Sequence, residues 1–337
     1  MVYKREPLPY YAGLVSFFRT PAVEIEDITE GMAVVAGVPI DMGVTSVRVG
    51  ERFGPRAIRE WSMGGRGMHE QAPDRTMYDV VTEVGSRLKD KPNVADFGDF
   101  NLYLPDIEKT GDSVIRGMTE IVKRGAFPVV MGGDHYVAYP SFTGFAQGLA
   151  ERKPNARLGY IHLDSHSDFN DGSVLNGRYT HGTCVRRISE NPMIAYKNLA
   201  WVGLNRSITA DQLRLRRSHN LKMTTDVDII ERGIEQVMRE AMEVAADGTD
   251  AVYVSVDIDI VNVSESPGTG IPEPRGISSR QFLTAMNMLS GWDKLGAIDF
   301  CEVAPEWDPG MLTVMLATSG MMSILRPYLY DTVELKD

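Results

Sequence analysis

Cysteine is nearly absent: Cys184 and Cys301 are the only two in 337 residues. Two are too few for a disulfide framework and lack metal-site spacing, so a reducing cytoplasm is the expected setting. Long apolar runs are missing as well. Nowhere do about 18 consecutive apolar residues occur, which excludes a spanning helix. No apolar core follows Met1, Val2, Tyr3, Lys4, Arg5 and Glu6, so no signal peptide is expected. Basic residues are in the minority, 35 Lys and Arg against 46 Asp and Glu, for a formal charge of −11. Surfaces that track phosphates need the reverse balance, so neither nucleic acid nor a membrane is expected as a partner, whereas a small cationic substrate would be mildly attracted. There is no solenoid repeat, Gly/Ser linker, charge block or phosphate loop. Gly268 and Gly270 lack dinucleotide-site spacing and read as turn formers.

What remains is an ordinary globular composition, 43% hydrophobic and 24% charged. Short apolar runs ending in Gly or Asp alternate with helical patterns, the mark of repeated βαβ units. Strands are expected at Met32 to Val38, Val94 to Phe97, Phe127 to Met131, Leu158 to Leu163, Leu199 to Val202, Ala251 to Val256 and Leu295 to Phe300. Amphipathic periodicity predicts helices over Asp112 to Arg124 and Ile229 to Ala246. The fold class is α/β: three layers, α/β/α, around a mainly parallel central sheet. A single domain spanning 1–337 is expected, with an N-terminal extension of about 1–30.

In such sheets chemistry gathers beyond the C-terminal strand ends. Three of these ends carry polar clusters: Gly132, Gly133, Asp134, His135; then Asp164, Ser165, His166, Ser167, Asp168; then Asp257, Ile258, Asp259. In extended chain, residues two apart share a face, so Asp164, His166 and Asp168 converge, as do Asp257 and Asp259. Carboxylates crowded into one cleft repel unless a cation joins them. Six ligand-type residues exceed the needs of one tetrahedral ion and suit two ions sharing a water. Oxygen and imidazole donors favour manganese, with nickel, cobalt or zinc as alternatives. The plain alternative, strand-terminal Asp residues acting as turn formers and helix caps, leaves His135 and His166 unexplained.

These three motifs, in order, resemble those of the ureohydrolase family, which includes arginase, agmatinase and the guanidino-acid hydrolases. Gly37, Val38, Pro39, Ile40, Asp41 followed by Arg52, Phe53, Gly54, Pro55 is similar to the family's N-terminal signature, and the likeness runs from about Tyr11 to Leu329. The resemblance implies an arginase-like fold and two divalent ions bridged by Asp164 and Asp257. His135 and Asp168 would complete one shell, His166 and Asp259 the other. It also implies that Glu302, in Glu302-Val303-Ala304-Pro305, grips the guanidinium, and that His181, in Thr180-His181-Gly182-Thr183, shuttles protons. Asp168 would also orient the nucleophilic water. The implied reaction releases urea plus an amine, in a homo-oligomer (trimer or hexamer) or a hetero-oligomer with a homologue.

Around Asp168, Phe169, Asn170 and Asp171 the chain is closer to the guanidino-acid and agmatinase branch than to arginase. Asn170 and Arg178 are candidates for the substrate tail, Arg178 as a bidentate carboxylate partner or else as a solvated surface residue. Trp307 and Ile271 would add bulk there, which suits a small substrate such as guanidine itself, or an alkylated or biguanide-like one with an apolar tail; a guanidino acid or an agmatine-like compound, as the branch implies, stays open beside these. Ser165 replaces the family's usual Ala, and Asn262-Val263 a common Asp-Pro; neither replaces a ligand. His162 reads as a hydrogen-bonded core residue, His69 and His219 as loop residues without chemistry, and Met315, Met321 and Met322 as core filler. The rivals are a formimino or biguanide C–N hydrolase and a catalytically silent partner subunit.

Overall fold

The computed structural model describes residues 12–80 and 82–335. In chain order the elements are β1 (Ala33–Val38), α1 (Gly54–Gln71), β2 (Thr76–Tyr78), β3 (Val84–Leu88), β4 (Val94–Asp99), α2 (Ile107–Lys123), β5 (Phe127–Gly132), α3 (Ala138–Arg152), β6 (Leu158–Leu163), α4 (Cys184–Ile188), β7 (Ile194–Leu204), α5 (Ala210–His219), β8 (Lys222–Thr225), α6 (Asp226–Arg232), α7 (Ile234–Ala246), β9 (Ala251–Asp257), α8 (Ser279–Leu289), β10 (Leu295–Cys301), α9 (Leu312–Leu329) and β11 (Tyr330–Glu334). Eight strands form one sheet in the order β4-β1-β5-β10-β9-β6-β7-β8, and every neighbouring pair is parallel. All seven expected strands lie in it.

Parallel strands need crossover connections, and the crossovers cover both faces of the sheet, so side chains of either parity must be apolar. Strand β1 is buried at all six positions. Its alternate residues enter different layers. Val35 packs with Val129, Ile161 and Val254 beneath α7, α8 and α9. Val34 packs with Val130, Tyr160 and Tyr253 beneath α2 and α3.

Several elements differ from expectation. The helix expected over Ile229 to Ala246 is broken at Gly233, whose φ of +82° ends α6 before α7 begins. Helix α2 starts at Ile107, earlier than its apolar stripe suggests, because the Asp106 side chain caps it by accepting from the Lys109 N–H at 2.9 Å. Strand β8 and a separate antiparallel sheet, β11-β3-β2, have no counterpart in the expected strands. Their half-exposed residues lack the continuous apolar run that marks the buried strands. His69 and His219 sit on α1 and α5 rather than in loops. Met321 is buried, but Met315 is largely exposed on α9 and so is not core filler.

Of the segment expected as an extension, residues 1–11 lie outside the described part. Phe17 and Phe18 are fully buried, and Asp96 accepts from the Phe17 N–H at 2.7 Å. Arg59 of α1 holds that same carboxylate with Nε at 2.8 Å, a buried ion pair that ties this segment to the sheet edge.

Candidate metal centre

Four central strands, β5, β10, β9 and β6, lie side by side, and their C-terminal ends surround one cavity of about 210 Å³. After β5, Gly133 lets the backbone press against the β1 loop: a Cβ there would meet the Ile40 carbonyl oxygen at 1.7 Å. The turn is completed by Asp134, which accepts from the Tyr136 N–H at 2.9 Å and the Gly43 N–H at 2.8 Å. It thereby aims His135 inward. Burial, then the charge of Glu302, pushes Asp134 up to about 7.

His135 Nδ1 lies 3.1 Å from Asp164 Oδ2, 3.2 Å from Asp168 Oδ2 and 3.1 Å from Asp257 Oδ2. His166 Nδ1 lies 3.0 Å from Asp259 Oδ2 and 3.5 Å from Asp164 Oδ1. Asp257 belongs to no group of donor atoms lying within 4.8 Å of one another, but two such groups are His135, His162, Asp164 and Asp168, and Asp164, His166 and Asp259. They share Asp164. The six expected ligands are therefore together, and all but His166 are buried.

The route to that convergence differs from simple strand alternation. Strand β6 ends at Leu163, before the first ligand, and Asp168 adopts a left-handed backbone with φ of +47°. Ser165 clamps the loop, donating from Oγ to the Asp259 carbonyl at 2.8 Å, a bond that alanine could not make. Asn262 holds the next loop by donating to Glu265 at 3.0 Å and to the Ile277 carbonyl at 3.1 Å.

The donor set fits divalent cations. Burial, then the charges of Asp259 and Asp164, holds Asp257 well above the carboxylate range. Asp259 is pushed up to about 7 by burial, with His166 offsetting part of the effect. Asp164, completely buried, has His162 Nε2 at 2.8 Å and His135 Nδ1 at 3.1 Å from its Oδ2. Protons or cations must relieve such crowding, and hard oxygen with imidazole suits a divalent ion.

Neighbouring side chains orient the ligands. His135 Nε2 meets Ser255 Oγ at 2.8 Å, and Ser255 donates to Asp299 at 2.6 Å. His162 is buried as expected, with Tyr160 at 3.2 Å from Nδ1, but its Nε2 sits 2.8 Å from Asp164 Oδ2. It is thus part of the cluster, by a contact that a core reading omits. Glu273 approaches His166 Nε2 at 3.2 Å and is in turn paired with Arg206. Sequence reading missed Glu273 and Arg206, since nothing local distinguishes them from surface residues, whereas Ser255 opens the Ser-x-Asp-x-Asp motif at 255–259.

Opposite the ligands, Glu302 Oε1 accepts from the His135 N–H at 2.8 Å and lies 3.3 Å from His181 Nδ1. Glu302 too is left-handed, with φ of +63°, a conformation non-glycine residues rarely hold without a functional reason. His181 Nε2 is 2.9 Å from Thr45 Oγ1. Burial alone would lower the His181 pKa, but the hydrogen bond and charge of Glu302 outweigh it and raise it to about 9.

Asn170 and Ile271 line the cavity with Gln212, whose Nε2 donates to Asn170 Oδ1 at 3.2 Å. A wider cavity of about 630 Å³ shares Thr45, Asn170, Gly182, Thr209 and Gln212 with it and forms a vestibule. Arg178 lies outside both linings, exposed and paired with Glu190 at 2.5 Å. Trp307 also lies outside, donating Nε1–H to the Val49 carbonyl at 2.9 Å. Gly268 and Gly270 do not use left-handed backbone, so close approach rather than turn geometry explains them: a Cβ on Gly268 would meet Asp308 Cβ at 2.4 Å.

Residues 32–326 match the arginase family model. Guanidinopropionase from Pseudomonas aeruginosa is 31% identical over 319 residues, covering 94% of this chain and 92% of that protein. Proclavaminate amidinohydrolase from Streptomyces clavuligerus is 32% identical over 325 residues, 95% of each. A solved structure of the latter enzyme superposes with a TM-score of 0.77 over 95% of this chain and 99% of that one, at 29% identity. Formimidoylglutamase from Bacillus subtilis, at 22% identity and a TM-score of 0.75 over 90% of this chain and 91% of that one, shares the fold.

Proposed function

The chain belongs to the arginase family, and from that premise we propose that it hydrolyses a small guanidino compound to urea and an amine at a centre of two divalent ions. That it is an amidinohydrolase acting on C–N bonds of guanidino compounds follows from its relatives. The finer reading is carried by one observation: Asp164 belongs to both donor groups, and His135, Asp168, His166 and Asp259 of those groups line one cavity together with Glu302 and His181.

His135 and Asp168 would hold one ion, His166 and Asp259 the other, with Asp164 and Asp257 shared. Manganese suits the set, with nickel as the alternative. When bound, such a pair supplies a water acidified toward about pH 7. The chain's own residues do the rest. Glu302, buried with its Oε2 unpartnered, offers the guanidinium carboxylate hydrogen bonds that fix its plane over the carboxylate cluster. Asp168 accepts a hydrogen bond from the attacking water and aims it. His181, raised to about 9, carries a proton at neutral pH and can deliver it to the departing nitrogen.

Asn170 is placed to meet the substrate tail where the inner cavity opens into the vestibule. Arg178 can serve the tail only by releasing Glu190. A homo-oligomer remains part of the proposal, by resemblance to the family. The test is to load the purified chain separately with manganese and nickel and to screen agmatine, arginine, guanidine, biguanides and short guanidino acids for urea. Release from at least one compound, lost on chelation, is expected. No urea from any compound with either metal bound would refute the reading.

A further inference from the structure

Glu51 opens the short 3-10 turn ahead of α1 and has no exposed surface. Neither of its carboxylate oxygens has a hydrogen-bond partner, and neither does Oε2 of Glu302. These atoms converge at Gly270. A Cβ there would lie 2.4 Å from Glu51 Oε1 and 2.7 Å from Glu302 Oε2, so the missing side chain is what lets two carboxylates share one spot. The adjacent Arg52 does not neutralise them, since its Nε is turned to Asp41 at 2.7 Å. Among the described residues no Lys or Arg pairs with either glutamate.

A buried carboxylate facing another is strongly disfavoured unless a cation or proton lies between them. Burial, then the charge of Glu302, accordingly pushes Glu51 up to about 8. A structural acid held for stability would be expected to find a backbone or side-chain donor, as Asp134 does. Neither Glu51 oxygen finds a side-chain donor, or a backbone donor beyond Glu51's own residue.

We propose that Glu51 is a second substrate carboxylate, forming with Glu302 a two-sided acidic slot beside Gly270 that selects an unsubstituted or monosubstituted guanidinium. This rests on the guanidino-hydrolase reading above and narrows its substrate class. A guanidinium is planar and presents three edges, each offering a pair of N–H donors that fits one carboxylate. One substituent destroys one edge and leaves two, one for Glu302 and one for Glu51, so the tail leaves along the third. A geminal dialkyl nitrogen destroys two edges. One glutamate would then be left buried without a partner for its carboxyl group, which is the costly outcome.

Isothermal titration of the metal-loaded full chain with guanidinium, methylguanidinium and 1,1-dimethylguanidinium chlorides tests the slot. The first two are expected to bind tighter than the third by about tenfold or more. Glu51→Gln, at unchanged metal content, should weaken guanidinium binding by about tenfold and largely remove that preference. Equal binding of all three cations by the parent chain, which needs no variant to fold, overturns the proposal. So does unaltered affinity and preference in Glu51→Gln. Urea release is read in parallel. Glu51-dependent binding without urea supports the slot and removes the hydrolase reading, whereas urea release with Glu51-independent binding does the reverse.

Discussion

Replacing Glu302 by glutamine tests the substrate side of the site without dismantling the metal side. The amide oxygen of glutamine can still accept from the His135 N–H, which Glu302 Oε1 does at 2.8 Å, so metal content should be retained. What disappears is the negative charge. A hydrogen bond to a charged partner contributes about 1.5 to 3 kcal/mol, so kcat/KM should fall roughly 10- to 150-fold for a guanidinium that loses it. A second consequence follows at His181, 3.3 Å away, whose pKa of about 9 owes its elevation chiefly to the Glu302 hydrogen bond and charge, against the lowering effect of burial. Removing that charge should lower it by about 1 to 3 units. Because His181 acts as an acid, turnover declines as pH rises through its pKa, so the alkaline limb should move from about pH 9 toward neutrality. Steady-state kinetics across pH, with metal content measured in the same samples, read both effects. A kcat/KM within about threefold of the parent and an unmoved alkaline limb would refute the assignment of both residues.

Asp164→Asn should lower the bound metal toward one ion per chain or fewer, because both donor groups lose their common carboxylate; elemental analysis of dialysed protein checks it, and two ions retained would contradict the sharing. Metal-free protein should lose stability as pH rises from about 4.5 to about 8, since folded Glu51 keeps its proton across that window while the unfolded chain releases it. Thermal melts should show this slope reduced in Glu51→Gln, the difference approaching a few kcal/mol at the alkaline end; parallel slopes would contradict the buried, cation-free acid. Arg178→Ala should change kcat/KM by less than about threefold, since exposed ion pairs such as Arg178–Glu190 contribute little; a larger loss would place Arg178 on the substrate tail.

The sheet was legible because parallel strands buried on both faces must be continuously apolar, and each of the seven runs that met this condition became a strand of the central sheet. Strands β2, β3, β8 and β11 carry no such pattern, being short or half exposed, and β11 pairs with β3 from more than 200 positions away. The clustering of the candidate ligands was legible for a related reason: His135, Asp164, His166, Asp168, Asp257 and Asp259 sit at strand ends in dense local motifs. Local spacing could not show how they converge, however, since Asp168 turns left-handed and Ser165 bridges two loops to hold Asp259.

Composition, strand pattern and motif order therefore determined the layered fold, the acidic character and the identities of the candidate ligands, because each is a property of neighbouring residues along the chain. The resemblance already implied that Asp164 is shared; tertiary structure alone decided that His162 reaches it and that Glu302 meets His181. It alone brought Glu51, more than 200 positions from Glu302 and Gly270, to the same buried spot. Such contacts depend on which strand ends lie side by side in the sheet, and strand order is set by packing across the whole domain.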